Sequence, residues 1–209
     1  MIINEIFYSI QGESTFSGFP CVFVRTTGCH LRCSWCDTEY AFHEGREFNV
    51  DDIIHQVEEF NCRLVEVTGG EPLLQKDIYP LMEGLLQKGF SVLLETSGAV
   101  DISPVDSRVR IVMDVKCPRS KMSDRMIWKN LSLLKKTDEI KFVVADIEDY
   151  QWARSVLHKW KPQQEVIFSP VFGQQDPRRL AEWILADRLP VRLQLQLHKQ
   201  IWSPETRGV

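Results

Sequence analysis

Residues 64–95 read LVEVTGGEPLLQKDIYPLMEGLLQKGFSVLLE and contain one complete strand–helix–strand unit. Two short apolar runs, Leu64–Thr68 and Ser91–Glu95, have the length and composition of buried strands. Between them, apolar residues recur at helical spacing, and Gly89 supplies a stop after the helix. The apolar stripe of this helix consists of Ile78, Leu81, Met82, Leu85 and Leu86. The unit predicts two parallel strands joined by a crossover helix.

The same alternation continues on both sides of this unit. One helix is predicted after Asn49, which is suited to an N-cap, and another begins at Asp176–Pro177, a cap followed by proline in the first turn. Further strands are predicted at Val22–Arg25, Val109–Asp114, Glu139–Val144, Glu165–Phe168 and Val191–Gln196. The pattern indicates a parallel α/β architecture, and both an open doubly wound sheet and a partial barrel fit it.

The length and charge of the chain exclude several classes of protein. The 209 residues lack an internal linker or repeat, so one domain over residues 1–209 is expected. The net charge of -4 leaves no excess of cations, which argues against a general nucleic-acid or anionic-membrane surface. No apolar run approaches the roughly twenty residues that cross a bilayer. The N-terminus also lacks the basic and apolar regions of a secretory signal, so the cytoplasm, where thiols stay reduced, is the expected compartment.

Unusual polar residues follow the predicted strands at their carboxyl ends. In parallel α/β folds these ends meet at one edge of the sheet, where ligands bind. We therefore expect segments far apart in sequence to face one mouth. These segments are Thr68–Pro72, Glu95–Ser97, Asp114–Lys116, Ser169–Pro170 and Gln196–His198.

Three cysteines lie close together in the segment GCHLRCSWCDTEY, residues 28–40. Cys29, Cys33 and Cys36 are too near in sequence to serve three independent roles, and in a reducing compartment they indicate a metal site. An iron–sulfur cluster with one iron lacking a protein ligand is one reading. A zinc site is the other, with a fourth ligand from His30, Asp37 or His43.

The cysteine loop, with Trp35 just before its last cysteine, resembles the cluster loop of radical S-adenosylmethionine (SAM) enzymes. Thr68–Pro72 resembles the GGEP segment of that superfamily. The match narrows to the 7-carboxy-7-deazaguanine synthase family through four segments and extends from about Asn4 to the end of the chain. Those segments are Glu5–Glu13, Val24–Arg25, Cys36–Thr38 and Gln196–Lys199.

The resemblance implies a fold and an activity. The fold is a partial, TIM-like barrel of parallel strands with crossover helices, forming a single radical SAM domain over residues 1–209. The activity is a lyase reaction that rearranges 6-carboxy-5,6,7,8-tetrahydropterin into 7-carboxy-7-deazaguanine and releases ammonia, in the biosynthesis of queuosine and other 7-deazapurines. Members of the family pair as homodimers and take electrons from a flavodoxin or ferredoxin.

The resemblance also implies roles for individual residues. A 4Fe–4S cluster is held by Cys29, Cys33 and Cys36, and magnesium is bound by Thr38. SAM contacts Trp35, Cys36, Asp37, Gly70, Glu95, Asp114, Val115, Lys116, Ser169, Pro170, Val171 and Phe172, with Gly69 and Gly70 allowing close approach of the backbone. The pterin substrate contacts Ile10, Gln11, Gly12, Glu13, Arg25, Thr68 and His198, with Arg25 supplying a planar donor fork for the pterin carboxylate.

The chain departs from the family pattern in two places. Ser14 stands where the opening motif often has glycine. Some members end at a proline equivalent to Pro204 whose terminal carboxylate reaches the substrate, whereas this chain continues through Val209, so Pro204 offers no carboxylate. The other cysteines, Cys21, Cys62 and Cys117, are interpreted as packing residues.

Two alternative functions remain open on sequence alone. One is a radical SAM activase of a partner protein, although such relatives usually carry additional cluster cysteines that this chain lacks. The other is a zinc-binding module without catalytic activity. Metal analysis distinguishes the second from the leading hypothesis, since the leading hypothesis requires iron and sulfide.

Overall fold

Nine strands form one sheet in the computed structural model, which describes residues 1–209. The strands are β1 (Ile2–Ile10), β2 (Pro20–Thr26), β3 (Arg46–Glu47), β4 (Leu64–Gly69), β5 (Ser91–Thr96), β6 (Arg110–Asp114), β7 (Glu139–Val144), β8 (Glu165–Pro170) and β9 (Arg192–Leu193). Their spatial order is β3-β1-β2-β4-β5-β6-β7-β8-β9. All neighbours from β2 to β9 are parallel, whereas β1 is antiparallel to β2 and β3 is antiparallel to β1.

The sheet does not close, because β3 and β9 lie at its two edges and do not pair with each other. The partial barrel implied by the family resemblance is therefore confirmed. Five α-helices accompany the sheet: α1 (Val50–Glu59), α2 (Ile78–Gln87), α3 (Ile147–Trp160), α4 (Pro177–Asp187) and α5 (His198–Ile201). The longest of them has 14 residues, and none combines the length and apolarity that crossing a bilayer requires.

The predicted helix ends agree with the structure. The Asn49 side chain accepts a hydrogen bond from the Asp52 amide at 2.8 Å, and the Asp176 side chain accepts one from the Arg178 amide at 2.9 Å. Each satisfies an amide in the first turn that has no partner within its helix. After α2, Gly89 adopts a φ of 81°, a conformation that favours glycine over other residues.

The apolar core lies between the sheet and the helices. Leu81 and Leu85 of α2 are fully buried, as are Val67 of β4 and Leu94 of β5. Burying one such side chain contributes about 1.5–3 kcal/mol. Because the opposite face of each strand is free of this packing, alternate residues are available to line a cavity.

The structure differs from the predicted elements at both ends of the sheet. The elements that the sequence did not predict are β1, β3, α3 and α5. The predicted strand Val191–Gln196 is reduced to Arg192–Leu193, because the Gln194 side chain donates to the Ser14 carbonyl at 2.7 Å and Leu197 donates to the Gly12 carbonyl at 2.9 Å. The Gln194 amide still donates to the Phe168 carbonyl at 3.0 Å, and contacts with the N-terminal loop follow from there on.

Candidate active site

A cavity of about 640 Å³ opens at the carboxyl ends of the parallel strands. Thr68 and Gly69 of β4, Glu95 of β5 and Asp114 of β6 all line it. Segments that are distant in sequence therefore share one site, as the polar residues at the strand ends predicted.

Most of the predicted site residues line this cavity. Those that do are Ile10, Gln11, Gly12, Glu13, Arg25, Cys29, Cys33, Trp35, Cys36, Asp37, Thr38, Thr68, Gly70, Glu95, Asp114, Lys116, Val171, Phe172 and His198. Three others, Val115, Ser169 and Pro170, are buried outside the lining. Val115 belongs to the apolar core because it follows Asp114 directly, and successive side chains of an extended chain point to opposite faces.

The cysteine loop presents three free thiols to the cavity. Cys29, Cys33 and Cys36 are half-buried, and no group of three histidine, cysteine or acidic side chains converges closely enough to hold one metal ion. Burial raises the pKa of the Cys29 and Cys33 thiols, while the nearby Lys116 ammonium opposes this rise. Asp37, one of the candidate fourth ligands of a zinc site, is paired with Lys199 at 2.5 Å.

The GGEP segment packs against the cysteine loop and holds it in place. The Glu71 amide donates to the Gly28 carbonyl at 2.8 Å. Gly70 lies so close to the backbone of Gly28 that no side chain fits at position 70. The Gly69 φ of 147° is likewise one that favours glycine. The family resemblance implies that these glycines allow the backbone to approach SAM closely. Their close contact with β2 and the cysteine loop is a second constraint, which the sequence did not reveal.

Glu71 itself is a buried structural carboxylate. It accepts hydrogen bonds from the Thr96 hydroxyl at 2.8 Å and from the Ser97 amide at 2.9 Å. These bonds join the carboxyl end of β4 to that of β5 and satisfy the charge of a side chain that solvent does not reach.

A buried lysine organises the acidic side of the cavity. Lys141 of β7 is 3% exposed; its ammonium group donates to Glu13 at 2.8 Å and to Glu95, and it lies 3.7 Å from Asp114. Burial lowers the pKa of Lys141, but the attraction of these carboxylates outweighs it and the pKa lies well above its usual value. In the same way, Lys141 overcomes the effect of burial and lowers the pKa of Glu95.

Arg25 presents a donor fork inside the cavity. Its Nε donates to Glu5 Oε1 at 2.7 Å, and the Tyr40 hydroxyl donates to the same oxygen at 2.9 Å. The terminal amino groups of Arg25 make no hydrogen bond within the chain and remain available to an anion. Sequence reasoning identified Arg25 but not Glu5 and Tyr40, which orient it.

Gln11 and Glu66 form a buried pair at one wall of the cavity. Gln11 Nε2 donates to Glu66 Oε2, while Gln11 Oε1 accepts from the Glu13 amide at 3.0 Å. Burial, reinforced by the negative charge of Glu95, raises the pKa of Glu66 to about 8. Glu66 was not among the predicted site residues.

His198 packs directly on the N-terminal loop. A Cβ placed on Gly12 would lie 2.0 Å from His198 Nδ1, so only glycine fits at this position. Burial lowers the pKa of His198, which favours the neutral imidazole at pH 7. The nearby Lys199 pairs with Asp37, and this attraction outweighs burial and lowers the pKa of Asp37.

The last six residues, 204–209, also line the cavity. Arg207 lies 3.8 Å from the ring centroid of Tyr40 and pairs with Glu44 at 2.8 Å. The chain beyond Pro204 thus lies beside the site, in contact with the tyrosine that helps to orient Arg25.

Several lining residues have no recognisable signal in the sequence. Phe7 and Phe23 stack with ring centroids 4.9 Å apart and form an aromatic wall. Only Lys141 carried a signal, as a single cation within an otherwise apolar strand. Other lining residues outside the predicted site include Glu66, Tyr40, Lys199 and the C-terminal residues.

Comparisons with known proteins identify the family of this chain. Residues 23–123 match the Radical SAM superfamily. The chain is 49% identical to a 7-carboxy-7-deazaguanine synthase of Chlorobaculum tepidum, over 99% of this chain and 96% of the relative, and 46% identical to that of Koribacter versatilis over the full length of both. The crystal structure of QueE from Escherichia coli is similar with a TM-score of 0.79 and 25% identity, over 94% of each chain. The chain therefore belongs to the 7-carboxy-7-deazaguanine synthase family of radical SAM enzymes.

Proposed function

We propose that the protein is a radical SAM lyase that converts 6-carboxy-5,6,7,8-tetrahydropterin into 7-carboxy-7-deazaguanine with release of ammonia, in the biosynthesis of queuosine and related 7-deazapurines. One observation carries this proposal beyond family membership. Three free thiols and the unpaired donor fork of Arg25 line the same cavity. A candidate cluster site and a candidate carboxylate site thus share one cavity.

The residues present fit both cofactors. Three thiols that face one cavity without converging on a single ion suit a 4Fe–4S cluster, which is larger than an ion and leaves one iron free for SAM. Cys29, Cys33 and Cys36 would hold it. Asp114, which lines the cavity, has an Oδ1 atom that is buried without a hydrogen-bond partner, as expected of a group that a ligand completes.

The remaining SAM contacts follow from this placement. Trp35, Asp37, Gly70, Glu95, Lys116, Val171 and Phe172 line the cavity and would surround SAM. When bound, the cluster and SAM supply the one-electron chemistry that removes hydrogen from the substrate. The chain contributes the position of the substrate and the exclusion of water.

Substrate binding would fall to the side of the cavity formed by β1, β2 and β4. Arg25 would bind the pterin carboxylate through its terminal amino groups, and Gln11, Glu13, Thr68 and His198 would surround the ring together with Ile10 and Gly12. Lys141 would hold Glu13 and Glu95 in position, since it contacts both.

Magnesium would be held by Thr38, whose hydroxyl lines the cavity and contacts only the Cys36 sulfur, at 3.8 Å. A single hydroxyl is a weak site, so the substrate and water would complete the coordination. Loss of activity in a chelator and its recovery with magnesium would test this point.

We further propose a single domain over residues 1–209, since one sheet contains strands from Ile2 to Leu193. A homodimer in the cytoplasm is proposed, supported by the outer edge of β1, which pairs with β3 only at Ile2 and Ile3. The electron donor is proposed to be a flavodoxin or ferredoxin.

The decisive experiment is anaerobic turnover. Reconstituted protein is incubated with SAM, a low-potential reductant, magnesium and the pterin, and the deazaguanine acid is detected by mass. We expect the wild type to form the product. Cys29→Ala should lose iron, sulfide and product formation while it keeps its fold. Cys62→Ala is the matched control, because Cys62 lies outside the cavity and should keep its iron. Stoichiometric zinc without iron, or iron without product, would contradict the proposal.

A further inference from the structure

Glu66 is a buried carboxyl group with one hydrogen-bonding oxygen left free. It lies on β4, lines the cavity and is 6% exposed. Its Oε2 accepts from Gln11 Nε2, whereas Oε1 makes no hydrogen bond within the chain and is not sealed from the cavity. A buried carboxyl in this condition lacks a partner that a ligand can supply.

The orientation of the pair is fixed by a third group. Gln11 Oε1 accepts from the Glu13 amide at 3.0 Å, which leaves Gln11 Nε2 to face Glu66. Oε2 of Glu66 is therefore occupied by a donor, and Oε1 is the oxygen that a ligand reaches.

Glu66 also lies at a fixed distance along the sheet from the carboxylate-binding fork. β2 and β4 pair so that Arg25 is opposite Thr68 and Phe23 is opposite Glu66. Glu66 therefore lies two residues before the position opposite Arg25, a distance of about 6–7 Å along the strand, and on the same face of the sheet. Phe23, stacked on Phe7, places an aromatic wall next to it. A flat bicyclic ring whose carboxylate binds Arg25 would direct its opposite edge toward Glu66.

We propose that Glu66 accepts hydrogen bonds from the 2-amino group and N3–H of the pterin ring and thereby selects substrates with a guanine-like edge. This inference rests on the proposed function. The pterin edge carries two adjacent N–H donors, for which a carboxylate is the complementary acceptor. Burial and Glu95 raise the pKa of Glu66 to about 8, and two N–H donors would favour its ionised form when the ring binds.

The test combines Glu66→Gln with an analogue of the pterin that lacks the 2-amino group. In the variant, the amide oxygen still accepts from Gln11, while the new NH₂ group faces the donors of the ring. We expect kcat/KM for the pterin to fall about 10- to 100-fold, mostly through KM. The wild type should disfavour the analogue by a similar factor, and Glu66→Gln should discriminate less than about threefold, because the two changes remove the same interaction.

The controls separate this inference from the proposed function and from loss of structure. Glu47→Gln changes an exposed carboxyl on β3 and should behave as wild type. Calorimetric binding of 7-carboxy-7-deazaguanine, which keeps the same edge, to the iron-loaded proteins should weaken in Glu66→Gln, while circular dichroism is unchanged.

If kcat/KM falls by the same factor from the pterin to the analogue in the wild type and in Glu66→Gln, Glu66 does not bind this edge and the inference is overturned. Turnover of the pterin by the wild type would still leave the proposed function intact. If the wild type forms no product from the pterin, the proposed function fails and this inference fails with it.

Discussion

A Cβ on Gly70 would lie 2.2 Å from the carbonyl oxygen of Gly28 and 2.9 Å from Cβ of Cys29. One neighbour is a backbone atom and the other is the first side-chain carbon, so neither can move away without moving the cysteine loop. The GGEP segment and the cysteine loop are therefore parts of one packed unit, and a side chain at position 70 acts on the cluster from outside it.

Gly70→Ala should consequently lower the iron content per chain markedly, while the protein stays folded with a modestly lower unfolding midpoint. Overpacking of this kind costs about 1–3 kcal/mol and shifts the loop that carries Cys29. Iron and sulfide per chain after anaerobic reconstitution are the measurement, with the unfolding midpoint alongside. Gly89→Ala is the control, since its Cβ meets no atom within 4 Å and any stability it loses comes from its positive φ, which Gly70 does not share. Full iron content in Gly70→Ala would show that the loop tolerates the displacement.

Arg25→Ala should weaken use of the pterin while leaving uncoupled cleavage of SAM largely unchanged. Loss of a charge-assisted hydrogen bond to the substrate costs about 1.5–3 kcal/mol, or roughly 10- to 100-fold in kcat/KM. The two rates are measured in the same assay. Arg192→Ala, which removes an exposed partner of Glu165, serves as the control. Equal damage to both rates would argue against a carboxylate contact.

Lys141→Met should destabilise the protein strongly. It leaves Glu13 and Glu95 without the ammonium that both of them contact, and removing one partner of a buried ion pair costs about 3–5 kcal/mol. Denaturant unfolding measures the change. Lys88→Met removes an exposed lysine paired with Glu58 and should cost less than about 1 kcal/mol. Similar losses in the two variants would mean that the buried network contributes little.

The raised pKa of Glu66 should be visible in the pH dependence of the free energy of unfolding. Its pKa is about 8 in the folded chain and 4.5 when unperturbed, so below pH 4.5 the group is protonated in both states. As the pH rises from 4.5 to 8, the unfolded chain loses the proton while the folded chain keeps it, which lowers the free energy of unfolding.

Relative to Glu66→Gln, the wild type should therefore lose stability on the order of 1–3 kcal/mol across this interval and change no further above it. Urea denaturation without substrate at a series of pH values gives the comparison. A difference that is flat with pH would show that the folded carboxyl titrates normally.

Arg207→Ala should loosen the C-terminal segment with little effect on global stability. The lost stacking on Tyr40 and the exposed pair with Glu44 together contribute on the order of 1 kcal/mol. We expect faster carboxypeptidase digestion of residues 204–209 and more SAM cleaved per product formed. Arg178→Ala, on the exposed face of α4, is the control. An unchanged ratio would place the segment outside the catalytic cycle.

The sequence was informative where local chemistry decides the structure. The caps at Asn49 and Asp176 and the stop at Gly89 follow from turn and helix chemistry within a few residues, and the structure confirms them. Apolar runs predict the parallel strands, whereas β1, which forms neither a continuous apolar run nor a regular alternation at the antiparallel side of the sheet, is not predicted.

The site was predictable only where motifs or strand ends marked it. Glu66 looks like an ordinary residue of an alternating strand, and its role depends on Gln11, 55 positions away. Tyr40 and Glu5 meet Arg25 through pairings of β1, β2 and the cysteine loop that no local pattern encodes. Long-range pairing of this kind arises from tertiary packing and is visible only in the folded chain.

Because residues 204–209 form part of the cavity wall, any extension fused after Val209 would start beside the cavity. A purification handle on that side would compete for space with the ligand and bias affinity measurements. The opposite terminus is also engaged, since the Met1 ammonium donates to the Phe48 carbonyl at 2.7 Å. Handles are best placed behind a cleavable spacer and removed before kinetic work.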